Sequence, residues 1–160
     1  MILADFQKKA VDSLTKSFLT LWQTNNYQLP LVFKAPTGAG KTIMMAEFLR
    51  TLDGNYHFDD DKAYIWISFG GDDSYLQSKE KLYKYFNNGT DMTLRDKNDL
   101  SLKELPKNNI FFINWSKIKS STKDGKVLRK ESELTSGDYG IFDEFIINTK
   151  NKREDRKSVV

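Results

Sequence analysis

The chain has 160 residues, of which 39% are hydrophobic, 13% aromatic and 29% charged, with a formal net charge of +3. That length and apolar content suit one globular domain with a sizeable core, and a charge so close to neutrality gives no bulk electrostatic argument for nucleic acid. The absence of cysteine excludes disulfides, thiolate metal sites and a cysteine nucleophile. No segment approaches the length of a membrane span, and the start Met1-Ile2-Leu3-Ala4-Asp5 lacks the basic residues of an export signal, so a cytoplasmic protein with no membrane partner is expected.

Phe6, Ala10, Val11, Leu14, Phe18, Leu21 and Trp22 recur at helical spacing and predict an amphipathic helix that ends in the polar stretch Thr24-Asn25-Asn26. Pro30 opens Leu31-Val32-Phe33, which reads as a first buried strand. A glycine-rich turn follows, then a helix carrying Ile43, Met44, Ala46, Phe48 and Leu49 that stops at Asp53-Gly54. Ala63 to Phe69 reads as a second, fully buried strand, broken by Gly70-Gly71. Leu76, Leu82, Tyr83 and Phe86 predict another helix, closed by Asn87-Asn88-Gly89. A weak strand near Met92-Thr93-Leu94 precedes a clear one at Ile110 to Trp115. Such alternation implies an α/β fold with a parallel sheet and helices on both faces.

The turn carries the chemistry. In Ala35-Pro36-Thr37-Gly38-Ala39-Gly40-Lys41-Thr42, Gly38 and Gly40 allow positive φ and a close backbone approach to an anion. The following helix adds its unpaired N-terminal N–H groups and its dipole. Lys41 is placed to reach the β- and γ-phosphates of a nucleoside triphosphate, and the Thr42 hydroxyl to ligate Mg2+. Pro36, Thr37, Gly38, Ala39, Gly40, Lys41 and Thr42 are therefore the expected nucleotide-binding residues, with Lys41 and Thr42 expected to take part in catalysis. The pattern asks for glycine where Ala35 stands, a small departure. A GTPase reading fails for want of an Asn-Lys-x-Asp guanine reader, and no arginine-bearing lid of a small kinase is visible.

Ala35 to Thr42 resembles the first motif of superfamily 2 helicases and translocases, and its surroundings are similar to the motor (Res) subunit of type III restriction enzymes. The resemblance implies a P-loop NTPase, RecA-like fold and an ATP-driven DNA translocase using ATP and Mg2+, with DNA and a modification subunit as partners. Phe6-Gln7 is similar to the family's adenine-reading element, whose glutamine pairs with the adenine edge; taken alone, Gln7 reads as an exposed helix residue. Ile67 to Asp73 and Phe112 to Ile118 look like the strand-end elements of the family's nucleic-acid track, which implies nucleic-acid roles for Ser68, Gly70, Asn114 and Trp115 at the carboxyl ends of strands. Taken alone, Trp115 reads equally well as core, and Trp22 and Trp66 read as core. Lys79, Lys81, Lys84, Lys117 and Lys119 are candidates for phosphate contacts, but basic residues on solvated helix faces are common and they are not placed in the site. His57 beside Asp59-Asp60-Asp61 reads as a polar loop rather than a metal site.

Asp143-Glu144 looks like the acidic pair that binds magnesium and activates water, yet only Ile141 and Phe142 precede it after Ser136-Gly137-Asp138-Tyr139-Gly140. A buried strand needs four or five apolar residues there. Ile141, Phe142, Phe145 and Ile146 instead suit an amphipathic helix with Asp138 near its start. In the family that the chain resembles, the strand carrying the true acidic pair comes after this segment, so the resemblance implies that residues 1–154 are a partial first ATPase lobe with its sheet incomplete at the C-terminus, inactive by itself. The terminal Asp155-Arg156-Lys157-Ser158-Val159-Val160 is what one frame of a sequencing-library adapter encodes before a stop, so 155–160 read as a non-native tail. The alternative is a nucleotide-binding interaction module or an inactive truncated gene product.

Overall fold

A computed structural model of the chain describes residues 2–24, 26, 29–54, 63–70, 74–86, 92–96, 98–99, 104–115 and 147–149. Asp143-Glu144, His57, Asp59 to Asp61, Lys117, Lys119 and residues 155–160 lie outside them. Two compact units are present, residues 1–60 with 80–91 and residues 61–79 with 92–160.

In the first unit, α1 (Asp5–Gln23) starts at Ala4, which has no side-chain acceptor to cap the helix. Half of a capping box remains, since the Ala4 N–H donates to Gln7 Oε1 at 2.9 Å. Val11, Thr15 and Trp22 are buried, and the Phe18 ring lies between Trp22 (6.0 Å, stacked) and Phe48 (5.6 Å, edge-on). Phe48 belongs to α2 (Lys41–Asp53), whose Met44, Ala46, Phe48, Leu49 and Leu52 are buried. Phe6, expected in the apolar stripe, is 59% exposed: five residues before Val11 is about 140° around a helix of 3.6 residues per turn.

A cluster of polar groups on Glu47 braces this unit. Arg50 donates both Nε and Nη2 to the Glu47 carboxylate, and the Tyr85 hydroxyl donates to the same group. The hydrogen bonds from Arg50 hold the Glu47 carboxyl below its ordinary value. Burial, with the Glu47 carboxylate as second cause, pushes the Tyr85 phenol up to about 12.

The sheet lies in the second unit. β1 (Ala63–Ser68), β2 (Thr93–Arg95) and β3 (Asn109–Asn114) form three parallel strands in the order β1-β3-β2. All six β3 residues are buried; because successive side chains point to opposite faces, both faces of the central strand are covered. Ala63, Ile65 and Ile67 align with Asn109, Phe111 and Ile113, and Phe111, Ile113 and Leu105 form a buried cluster with Ala63, Ile65, Ile67 and Trp115 packed around it. On the opposite face Trp66 stacks on Phe112 at 5.7 Å. β1 is only half-buried apart from Tyr64, contrary to the fully buried strand expected, because among the described residues it sits at the sheet edge with one neighbouring strand.

α3 (Ser74–Phe86) also departs from its expected stripe. Tyr75, Leu82 and Phe86 are buried, whereas Leu76 and Tyr83 are 38% and 65% exposed. The buried residues are spaced i, i+7 and i+11, and the exposed pair lies one residue further round. Lys79 is paired with Asp96 at 2.6 Å, while Arg95 donates Nε to Asn109 Oδ1 at 2.8 Å.

The expected first strand, Leu31-Val32-Phe33, is not a strand: residues 30–36 have no ladder among the described residues, and Val32 is 71% exposed. Pro30 and Pro36 bracket this segment and have no N–H to give to a ladder.

Candidate functional site

The glycine-rich loop in the first unit is shaped by its backbone. Ala39 N–H donates to Pro36 O at 3.2 Å, and Gly38 at the third position has φ +83°, the positive φ that a type II turn requires. Gly40, with φ +81°, is the residue before α2 and accepts from Met44 N–H at 3.0 Å. The N–H groups of Lys41, Thr42 and Ile43, in the first turn, have no acceptor within the helix, so the loop ends in convergent donors and a positive dipole end. Thr42 is half-buried there.

Lys41 folds back over this loop. Its Nζ donates to Ala35 O at 2.8 Å and Pro36 O at 2.9 Å, two of the three donors of an ammonium group. The Ala35 contact is made by a carbonyl, which any residue carries, so alanine in place of glycine leaves it intact. Pro36 and Thr37 are exposed, and Ala39 is half-buried.

Gln7 reaches the same loop. Its Oε1 accepts from Ala4 N–H, and its Nε2 donates to Ala39 O at 2.9 Å. The carboxamide thus ties the start of α1 to the middle of the turn, a contact between residues 32 positions apart that the sequence reading did not anticipate. A Cβ on Gly40 would lie 2.6 Å from Gln7 Nε2, whereas one on Gly38 would meet nothing within 4 Å. Both substitutions incur the left-handed strain of about 1–2 kcal/mol; Gly40→Ala also breaks the Gln7 bond and is expected to lose about 0.5–1.5 kcal/mol more. Thermal melts of the two variants check this, and in a Gln7→Ala background the difference should vanish. Equal melting shifts with Gln7 present would contradict it.

The implied nucleic-acid residues lie together in the second unit. Ser68 and Asn114 are partners in register at the ends of β1 and β3. Asn114 is 1% exposed, and its Nδ2 donates to Gly70 O at 3.1 Å, holding the exposed turn where Gly70 has φ +129°. Trp115 is half-buried against the Phe111 cluster, so the core reading accounts for one side of its ring. Phe69, which was not singled out from sequence, stands 5.5 Å from Trp115 between ring centroids and is 73% exposed. The signal was present in the pattern: both residues directly follow parallel strands of equal length.

No group of His, Asp or Glu able to hold a metal occurs among the described residues, and no described helix is long and apolar enough to cross a membrane. No curated protein and no solved structure matches the chain. Residues 1–145 match the family of the type III restriction enzyme res subunit, and the chain belongs to that family, a group of helicase-like ATPase domains with the P-loop NTPase fold.

Proposed function

We propose that this chain is the ATP-binding part of a DNA helicase or translocase motor of a type III restriction system, binding ATP with Mg2+ at the loop from Pro36 to Thr42. The single observation that carries the reading is the loop's geometry: positive φ at Gly38 and Gly40, a helix N-terminus directly behind them, and the Lys41 ammonium closed over the loop's own carbonyls. Those two carbonyls stand in for acceptors that phosphate oxygens replace. A triphosphate suits the donor set, because its charge matches both the ammonium and the dipole end. Mg2+ prefers oxygen ligands and keeps several waters, so one hydroxyl from Thr42 is a sufficient protein contribution. The bound nucleotide supplies the phosphoryl group whose hydrolysis drives movement in the family; the residues named here bind and orient it.

Gln7 reads adenine in this proposal without giving up the loop. A carboxamide has two N–H donors and two acceptor lone pairs, and the contacts to Ala39 and Ala4 use one of each. ATP is therefore preferred over GTP, whose base edge presents the opposite pattern at the exocyclic group. Lys41 and Thr42 are the residues assigned to catalysis, with DNA and a modification subunit as partners. Ser68, Gly70 and Asn114 shape the strand ends beside Trp115, Asn114 acting as a positioning residue through Gly70.

Calorimetric titration of the purified chain with ATP or GTP in the presence of Mg2+ tests this. Saturable binding of ATP, weaker for GTP and weakened by Lys41→Ala in a chain that stays folded, is the expected result. A folded chain that takes up no ATP would remove the reading.

A further inference from the structure

We infer that residues 31–35 are an open strand edge on which a second copy of this chain pairs, antiparallel and about a two-fold axis at Phe33. The pairing is independent of what the glycine-rich loop binds.

The segment has the geometry of a strand without a neighbour. From Pro30 to Pro36 the backbone runs without a turn or bend, and no residue in it has positive φ. Exposure alternates with period two: Leu31 is 39% and Val32 71% exposed, Phe33 and Ala35 are half-buried, and Lys34 is exposed. That alternation marks an extended chain lying with one face on the protein. The N–H groups from Leu31 to Ala35 have no acceptor among the described residues. A row of unpaired amides beside an exposed valine is a template for another strand.

The two edges of the segment are not equivalent. The N–H and C=O of a strand residue point to the same side, and successive residues point to opposite sides. Ala35 O accepts from Lys41 Nζ at 2.8 Å, so the edge carrying Leu31, Phe33 and Ala35 faces Lys41. Val32 and Lys34 therefore form the open edge. Pro30 and Pro36 fall at the next positions of that edge on either side and have no N–H, so its ladder ends at both. The same two prolines are equidistant from Phe33, and this points to the occupant. A two-fold contact is self-complementary: with the axis at Phe33, Val32 of one copy faces Lys34 of the other, twice, and proline faces proline at both ends. Each Val32–Lys34 pair exchanges its N–H···O bonds in both directions, which uses every amide of the open edge. Charge agrees, because no lysine faces a lysine. The aliphatic stem of Lys34 covers the other copy's exposed Val32 while its ammonium stays in water. Five residues a side is far below the roughly 20–30 of a standard interface, so the dimer is weak and reversible.

Sedimentation equilibrium of the full chain across concentration tests this, comparing wild type with Val32→Lys, Val32→Glu and the double variant Val32→Lys with Lys34→Glu. Val32 and Lys34 are exposed, so none of these changes removes core packing, and circular dichroism checks folding. Each cross-strand charge pair occurs twice in the dimer, so Val32→Lys should weaken dimerisation by about 2- to 30-fold. Val32→Glu, which faces Lys34 with opposite charge, should tighten it by a similar factor at low salt, and the double variant should restore it. Hydrogen exchange on the unaltered chain should slow at the Val32 and Lys34 amides, and not at Phe33, as concentration rises. A chain that stays monomeric up to about 1 mM overturns the inference. Equal weakening by Val32→Lys and Val32→Glu marks an unspecific apolar contact, and a dimer that neither variant changes forms elsewhere; either overturns it. Slow exchange at Val32 and Lys34 in a monomer means that the chain covers this edge itself, and overturns it as well.

Discussion

Lys41→Ala is expected to weaken ATP binding by about 10- to 150-fold, with no loss of folded structure. Hydrogen bonds to a charged group contribute about 1.5–3 kcal/mol, and this side chain has no buried role. Lys41 is exposed, and its two bonds go to carbonyls of its own loop. Those carbonyls can turn to water when the ammonium is gone, so the folded state loses little. A bound triphosphate has no such recourse, because the ammonium neutralises charge that the remaining N–H groups only partly offset. Calorimetry on the variant, with circular dichroism as a check on folding, measures both sides. Unchanged ATP affinity in a folded Lys41→Ala chain would mean that the nucleotide is held elsewhere. Lys41→Arg is not a conservative replacement at this position, since a planar fork does not reproduce a compact point charge.

Phe111→Ala should destabilise the chain by about 3–5 kcal/mol, a large part of the total of about 5–15 kcal/mol typical of a domain. Phe111 is fully buried at 0% exposure in the central strand, with Leu105, Ile113 and the β1 residues Ile65 and Ile67 around it. Its neighbours are fixed by two parallel ladders and cannot collapse freely into the space it leaves. Val32 provides the contrast: it is equally apolar by sequence, yet at 71% exposure its replacement by alanine should change stability by no more than about 0.5 kcal/mol. Urea unfolding of both variants compares them on one scale. Similar midpoints would show that β3 is not the centre of the core.

The two variants also separate the parts of the molecule by function. Loss of nucleotide affinity in a stable chain points to the loop, whereas loss of stability points to the sheet, whose covered central strand presents Phe69 and Trp115 at its end. The Gly40 and Gln7 variants address the link between α1 and the loop.

What could be read from sequence was whatever is local. The glycine-rich turn, the positive φ at Gly38 and Gly40 and the helix starting at Lys41 all follow from eight consecutive residues, because sterics and helix-end hydrogen bonding act over that range. The same holds for the existence of α1, α3 and the apolar strands β1 and β3, which declare themselves by periodicity. Tertiary structure decided everything that depends on which segments become neighbours. Leu31-Val32-Phe33 and Ile110-Phe111-Phe112-Ile113 are both short apolar runs, yet one is exposed and the other is the buried centre of the sheet. The bond from Gln7 to Ala39, the edge position of β1 and the meeting of Phe69 with Trp115 likewise arise from strand order and helix docking. Local patterns state that an apolar face must be covered; only the packing of distant segments determines by what.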